Sequence, residues 1–120
     1  MSDTQAQSLR VTAEWRRHLR VWLANHDLSA TDIAARSAEE LLTRNHGTAV
    51  YIPPPAGDSR LNFDIPAELH ARVVDAVTTD PQQWWARGIR TIRDFYLVAF
   101  AQRITSTTEL DNLDSADVAL

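Results

Sequence analysis

The side chains best suited to chemistry in this chain are its twelve arginines and four histidines. Every basic residue is arginine and none is lysine, and a guanidinium forms bidentate contacts with phosphate, carboxylate or guanine. The same usage also fits a GC-rich genome. The histidines lie at no metal-ligand spacing, so solvated or capping roles are expected for them. They are His18, His26, His46 and His70.

Other patterns of catalytic residues are missing from the sequence. Because there is no cysteine, disulfides, thiolate nucleophiles and cysteine-based metal sites are excluded. The three glycines form no phosphate-binding loop, and there is no nucleophile elbow or His-Glu-x-x-His motif. We therefore expect a protein that is not an enzyme and that holds neither a cofactor nor a metal ion.

The composition is that of a folded chain. With 120 residues, 44% of them apolar and 23% charged, one compact domain or two very small modules are expected. An apolar signal segment and a membrane-spanning run are both missing from the sequence, which predicts a cytoplasmic protein without a membrane partner. The net charge of -4 is uneven, because residues 9–103 contain 12 arginines and 11 acids whereas the remaining C-terminal residues carry only acidic charges.

A shift of 54 positions superimposes one half of the chain on the other. Each half opens with alternating polar and apolar residues, S-L-R-V-T and L-N-F-D-I, which predicts a half-buried strand with Leu9, Val11, Leu61, Phe63 and Ile65 inward. Thr12 and Pro66 then suit a helix start, and Ala-Glu follows each. Apolar residues recur at helical spacing after both: Trp15, Leu19, Trp22 and Leu23, then Leu69, Val73, Ala76 and Val77.

A second helix is predicted in each half. Ser29 and Asp32 have the spacing of a capping box, and Asp80-Pro81 marks the later start. The apolar stripes are Ile33, Ala34, Ala38, Leu41 and Leu42, then Trp85, Ile89, Ile92, Tyr96 and Ala99. The shift of 54 also aligns Arg36, Ser37 and Leu41 with Arg90, Thr91 and Phe95.

The segment between the halves contains three consecutive prolines and a Gly-Asp turn, so it is predicted to be a linker. Packing of Val50, Tyr51 and Ile52, or a short edge strand there, is the alternative. A unit of about 40 residues has no second strand to bond the backbone N–H and C=O groups of its single strand. The two strands should therefore pair with each other, antiparallel. The sequence does not reveal whether they pair within or between chains.

The predicted fold class is α+β, mostly α, with two tandem strand-helix-helix units that form one antiparallel ribbon. The predicted organisation is a disordered N-terminus (1–6), a first unit (7–45), a linker (46–59), a second unit (60–104) and a disordered acidic tail (105–120).

The two junctions, L-R-V-T-A-E-W and F-D-I-P-A-E-L, resemble the ribbon-helix-helix family of DNA-binding proteins when each is followed by two helices. A tandem pair in one chain is similar to conjugation accessory proteins of plasmid relaxosomes. The resemblance implies a two-stranded ribbon in the major groove of double-stranded DNA, with helix N-termini on phosphates. The implied base-contacting residues are Ser8, Arg10, Thr12, Arg60, Asn62 and Asp64. The implied phosphate-contacting residues are Arg16, Arg17, Ser29, Ala30, Thr31, Gln82 and Gln83.

Two features oppose DNA binding. Asp64 would bring a carboxylate into the groove, which is tolerated opposite a cytosine amine or if Arg10 holds it across the ribbon. The small positive charge of the body also gives weak attraction to phosphates.

The expected function is a transcriptional repressor or a plasmid or mobile-element accessory protein. The alternatives are an antitoxin whose acidic tail binds a basic partner, and a protein-interaction module on the same fold that does not bind DNA. A homodimer of the tandem chain is a further alternative, with inverted or direct half-sites.

Overall fold

The computed structural model describes residues 3–43, 49–79 and 81–104. Its elements are β1 (Thr4–Val11), α1 (Ala13–Asn25), α2 (Ala30–Thr43), β2 (Ser59–Pro66), α3 (Ala67–Thr79), α4 (Pro81–Ala86) and a further helix, α5, at residues 92–104. The fold is a small, mostly helical α+β arrangement whose described part contains one two-stranded antiparallel sheet. None of the described helices combines the length and apolarity needed to cross a membrane. His46 and the acidic tail (105–120) lie outside the described residues.

The two strands form a ribbon of eight residues each, from Thr4 opposite Pro66 to Val11 opposite Ser59. The predicted antiparallel pairing is therefore confirmed, and it occurs within the chain. β1 begins four residues earlier than the alternation predicts, so residues 4–6, expected to be disordered, belong to the ribbon. The predicted inner face is confirmed, because all five of its residues are buried: Leu9, Val11, Leu61, Phe63 and Ile65.

The helices that follow the strands begin where the sequence predicts. The Thr12 hydroxyl accepts a hydrogen bond from the Trp15 N–H at 3.1 Å and caps α1. α1 ends at Asn25, and Asp27 beyond it has a left-handed φ of 55°. The Leu28 N–H then donates to the Leu23 carbonyl at 2.9 Å. The predicted stripes are buried at Leu19, Trp22 and Leu23 of α1 and at Leu69, Val73 and Val77 of α3.

The second helix of the second half differs from the prediction. One helix was expected from Asp80-Pro81 onward, but α4 ends at Ala86 and α5 starts only after Thr91. Between them Gly88 has a φ of 90°, and a Cβ there would lie 2.0 Å from the carbonyl oxygen of Tyr51. The helical run is therefore interrupted at a glycine, because only glycine allows both the positive φ and the close approach of the Tyr51 carbonyl.

Two further expectations fail because of this break. Trp85, predicted on the apolar stripe, is 55% exposed, whereas its neighbour Trp84 is buried. The alignment of Ser37 with Thr91 is also wrong, since Ser37 lies in the middle of α2 and Thr91 precedes α5. The 54-residue offset relates α1 to α3. It does not extend further along the chain, because α4 has no counterpart between α1 and α2.

α5 lies at the centre of the core. Six consecutive residues are buried, which is expected of a helix covered on all sides: Phe95, Tyr96, Leu97, Val98, Ala99 and Phe100. Phe63 of β2 packs edge-on against Tyr96, with ring centroids 5.3 Å apart, and against Phe100 at 5.1 Å. The inner face of the ribbon is thereby fixed on α5.

Residues 49–58 of the predicted linker contain no strand, and β2 begins at Ser59, the last residue assigned to the linker. The Tyr51 N–H donates to the Arg87 carbonyl at 2.7 Å, and the Tyr51 side chain packs against the core. Val50 and Ile52 remain exposed, so of the three residues that the alternative would pack only Tyr51 does.

Candidate functional site

The outward face of the ribbon includes the cross-strand pairs Ala6–Asp64, Ser8–Asn62 and Arg10–Arg60, and Thr4–Pro66 follows on the same face at its end. All six side chains of the first three pairs are exposed, because alternate residues of each strand point to the core. This face brings together five residues predicted from the sequence: Ser8, Arg10, Arg60, Asn62 and Asp64. It also includes Ala6, which sequence analysis missed because β1 was expected to start later.

Thr12 lies beyond the end of β1. Its hydroxyl accepts the Trp15 N–H as the cap of α1, so it is not part of the outward face of the ladder. From the sequence, Thr12 is expected in two roles, as a helix cap and as a base contact. The structure contains the first of them.

Hydrogen bonding shows how close the outward pairs are. The Asp64 N–H points away from β1, since it donates to the Thr31 hydroxyl at 3.0 Å. Ala6–Asp64 is therefore a non-hydrogen-bonded pair, in which Cα atoms lie about 4.5 Å apart instead of about 5.5 Å. Because the two kinds of pair alternate along a ladder, Ser8–Asn62 and Arg10–Arg60 are of the same close kind.

Arg10 and Arg60 form a like-charge pair at one end of this face. Neither guanidinium has a hydrogen-bond or ion-pair partner within residues 3–43, 49–79 and 81–104. Like charges directly opposite each other destabilise a sheet, and a bound anion or acceptor between them would remove that repulsion. The pair is therefore arranged to hold a group rich in acceptor atoms, such as a phosphate or a guanine edge.

Asp64 lies at the other end of the face, opposite Ala6. Of the two alternatives for Asp64, the contact with Arg10 is not formed, because Arg10 faces Arg60 and lies four residues further along the ladder, about 13 Å away. A shallow depression of about 310 Å³ lies between Ser8, Thr31 and Asp64. The carboxylate of Asp64 has no hydrogen-bond or ion-pair partner within the described part of the chain.

The N-terminus of α2 meets the ribbon at the Asp64 end. The predicted capping box is confirmed, since the Ser29 N–H donates to Asp32 Oδ2 at 2.7 Å and the Asp32 N–H donates to Ser29 Oγ at 3.2 Å. Ala30 is the first residue of α2 and Thr31 accepts from the ribbon. A phosphate bound here would lie beside the Asp32 carboxylate. The N–H groups of Ser29 and Asp32 are already hydrogen-bonded within the capping box.

The N-terminus of α5 meets the ribbon at the other end. Arg93 donates from Nε and Nη2 to the Arg10 carbonyl, at 3.1 and 3.0 Å, and from Nη2 to the Pro54 carbonyl at 2.9 Å. The Asp94 N–H donates to Thr91 Oγ1 at 3.0 Å, so Thr91 caps this helix. Sequence analysis missed this start, although Thr91 and Asp94 have the same spacing as Ser29 and Asp32.

The remaining predicted residues lie on α1 and α4. Arg16 is half-buried and Arg17 is exposed in the second turn of α1, which follows the arginine-bearing end of β1. Gln82 and Gln83 are exposed in α4 and not at the start of α5, the helix that contacts the ribbon. Arg16 and Arg17 are therefore the better placed of these residues to extend the outward face.

A histidine and a tyrosine lie beneath the Asp64 end. His70 of α3 lines a shallow groove with Gln5 and Ala67, and its Nδ1 lies 2.6 Å from the Tyr96 hydroxyl. Burial lowers the pKa of His70 below its usual 6.5 and raises the pKa of Tyr96 above its usual 10. Both shifts favour the neutral forms, between which the hydrogen bond is made.

Within the described ranges, no three acidic or histidine side chains are grouped so that they could hold a metal ion. In the part of the chain that the structure describes, the exposed ribbon face and the two helix ends beside it bring together most of the predicted site residues. No protein-family model, curated protein or solved structure matches the chain.

Proposed function

We propose that this chain is a sequence-specific, non-enzymatic double-stranded DNA-binding protein of the ribbon-helix-helix type, with two fused units. It acts as a repressor or as an accessory protein on plasmid, phage or operon DNA. The observation that carries the proposal is the arginine pair, Arg10 and Arg60, held side by side on an exposed two-stranded ribbon. A two-stranded ribbon fits the major groove of B-DNA, which is about 12 Å wide.

The mechanism is direct contact with base edges. Each guanidinium donates two hydrogen bonds to O6 and N7 of a guanine, which also removes the repulsion within the pair. Asn62 donates to N7 of adenine and accepts from its N6 amine, and the Ser8 hydroxyl contacts either kind of group. Arg16 and Arg17 bind phosphates at the side of the groove and so fix the register of the ribbon.

The charge of the chain makes these base contacts decisive. Residues 9–103 carry 12 arginines and 11 acids, so few unpaired cations are left to bind phosphates. Non-specific affinity should be weak, and the salt dependence of specific binding shallow, because few counterions are released. Discrimination between sequences should then depend mostly on the ribbon.

The test is selection from a random duplex library by the purified full chain at about 100 mM salt. We expect one defined motif from the wild type, and a loss of about 10- to 100-fold in affinity for it in Arg10→Ala and in Asn62→Ala. The matched control is Arg72→Ala, which removes an exposed arginine paired with Glu39 on the helical side. This control should keep both the motif and the affinity.

The absence of any enriched motif with the folded wild type would refute the proposal. Equal losses in Arg10→Ala and Arg72→Ala would also contradict it, since only general charge would then matter. A motif that is unchanged in Asn62→Ala would exclude the central pair from base contact.

A protein-interaction module is the second candidate. The observation in its favour is the exposure of apolar side chains outside the two strands, with Ile52 at 90%, Val50 at 68% and Trp85 at 55%. If the ribbon binds no duplex, Ile52→Ser and Trp85→Ser should reduce association with a partner protein. If the ribbon does bind a duplex, removal of residues 105–120 tests the antitoxin alternative. An antitoxin without this tail should lose toxin binding and keep its DNA affinity.

A further inference from the structure

The outward face of the ribbon has a symmetric backbone and asymmetric chemistry. The ladder has a local two-fold axis through the Ser8–Asn62 pair, and exchanging the strands about it carries Arg10 onto Asp64 and Arg60 onto Ala6. One end therefore presents two guanidinium groups and the other presents a methyl group and a carboxylate. All four side chains are exposed and lie at equal distances along the ladder from the axis.

Each helix end beside the ribbon carries one carboxylate, Asp94 on α5 and Asp32 on α2, and the two ends differ in the group that contacts the ribbon. Next to Arg10 lies Arg93, whose guanidinium binds the Arg10 carbonyl. Next to Asp64 lies the capped N-terminus of α2, with the carboxylate of Asp32. We call these the arginine end (Arg10, Arg60 and Arg93) and the aspartate end (Ala6, Asp64 and Thr31).

We propose that one chain binds a non-palindromic DNA site in a single orientation, with guanine under the arginine end and cytosine, on the strand facing Asp64, under the aspartate end. This inference rests on the proposed function. A carboxylate accepts a hydrogen bond from the N4 amine of cytosine, whereas guanine offers only acceptors in the major groove and repels it. Adenine has an amine beside the N7 acceptor, so it is the weaker match for Asp64.

Reversal of the chain on its site breaks both sets of contacts. Asp64 would then face the acceptors of guanine, and the arginine pair would lose its bidentate partners. The reversed complex should be at least about 100-fold weaker, as expected when two base contacts are mismatched. A two-fold symmetric ribbon with the same residue at both ends would show no such preference.

The orientation is measured with single cysteines, because the chain has none of its own. Thr4→Cys lies at the aspartate end and Asp58→Cys precedes β2 at the arginine end, and both positions are exposed. Each is labelled with an iron–EDTA reagent that cleaves nearby DNA, on the shortest selected duplex that binds one chain. We expect Thr4→Cys to cut on the cytosine side of the site and Asp58→Cys to cut on the guanine side.

The matched variant makes the two ends alike. Ala6→Arg combined with Asp64→Arg gives an arginine pair at both ends, and circular dichroism and thermal unfolding check that it folds. The folded variant should select a palindromic site with guanines on both sides. Retention of the wild-type site by this variant would overturn the inference, and if the variant does not fold, the cleavage pattern alone decides.

The two levels of the proposal fail in different ways. If the folded wild type enriches no motif, both the proposed function and this inference are wrong. If the wild type selects a palindromic site for one chain, or each label cuts equally on both sides, the inference is overturned and the DNA-binding function survives.

Discussion

At the arginine end of the ribbon, three hydrogen bonds from Arg93 hold the carbonyl groups of Arg10 and Pro54, whereas at the aspartate end one Thr31 hydroxyl receives the Asp64 N–H. The first set is charge-assisted and comes from the central helix α5. The second is a single neutral hydrogen bond at an exposed position. The end that carries two like charges is thus the end with more side-chain hydrogen bonds from a neighbouring helix, while the aspartate end also has the Ala67 N–H bonded to the Asp3 carbonyl at 2.9 Å.

The difference has a physical reason. In the proposed function, two guanidinium groups that repel each other bind a guanine edge well only if the strands beneath them do not move apart. Asp64 has no repelling neighbour across the ribbon, because its partner is Ala6. The end with the like-charged pair is therefore also the end that Arg93 bonds to α5. Mutation can change the charges and these hydrogen bonds separately.

The largest effect is expected from Gly57→Ala at the arginine end. A Cβ at this position would lie 2.6 Å from the Thr12 Cα and from the Val11 carbonyl oxygen, and backbone atoms cannot give way. The variant should lower the free energy of unfolding by about 3 kcal/mol, measured by urea denaturation. Ala56→Ser, at the exposed residue before it, is the control and should change stability by less than about 0.5 kcal/mol. Equal stability of both variants would show that the linker yields at this point.

Arg93→Ala tests the anchoring directly. It removes three hydrogen bonds to two carbonyl groups and the ion pair with Asp94 at 3.3 Å, so the free energy of unfolding should fall by about 2 kcal/mol. The control is Arg90→Ala, an exposed arginine just before α5, which should cost less than about 0.5 kcal/mol. If the two variants are equally stable, the ends of the ribbon are not anchored differently.

Thr31→Val makes the corresponding change at the aspartate end. The Asp64 N–H loses its acceptor but remains accessible to water, so the expected cost is about 0.5 to 1 kcal/mol. Thr78→Val is the control, because the Thr78 hydroxyl bonds only within its own helix, to the Val74 carbonyl. A cost as large as that of Arg93→Ala would remove the contrast between the two ends.

The smallest effect concerns pH at the aspartate end. Because burial lowers the pKa of His70 in the folded state, protonation favours the unfolded chain, and stability should fall as the pH drops through 6.5. His70→Gln should flatten this dependence in unfolding measurements between about pH 7.5 and 5. The raised pKa of Tyr96 acts only above pH 10, where stability is lost as pH rises.

Much of the ribbon could be predicted from the sequence because its signals are local. Alternation fixes which strand residues point inward, and the capping box marks the start of α2. The opposition of Arg10 and Arg60 depends on the register between strands and could not be read from either strand alone. The role of Arg93 depends on a carbonyl 83 residues away in the chain.

The second half was harder to predict because its signals conflict. Apolar residues continue from α4 into α5 at a spacing that suits one helix, while Gly88 and the Thr91 cap indicate two. The run F-Y-L-V-A-F has no amphipathic period, since α5 is buried on every side. Its position under Phe63 follows only from tertiary packing.

Pairing of β1 with β2 inside one chain also determines how the protein behaves at low abundance. A ribbon assembled from two separate chains dissociates on dilution, and its stability then depends on protein concentration. Here the linker holds the second strand at an effective concentration on the order of millimolar, whatever the number of molecules in the cell. The ribbon therefore stays intact at a few copies per cell, and the two ends of its outward face can change by mutation independently of each other.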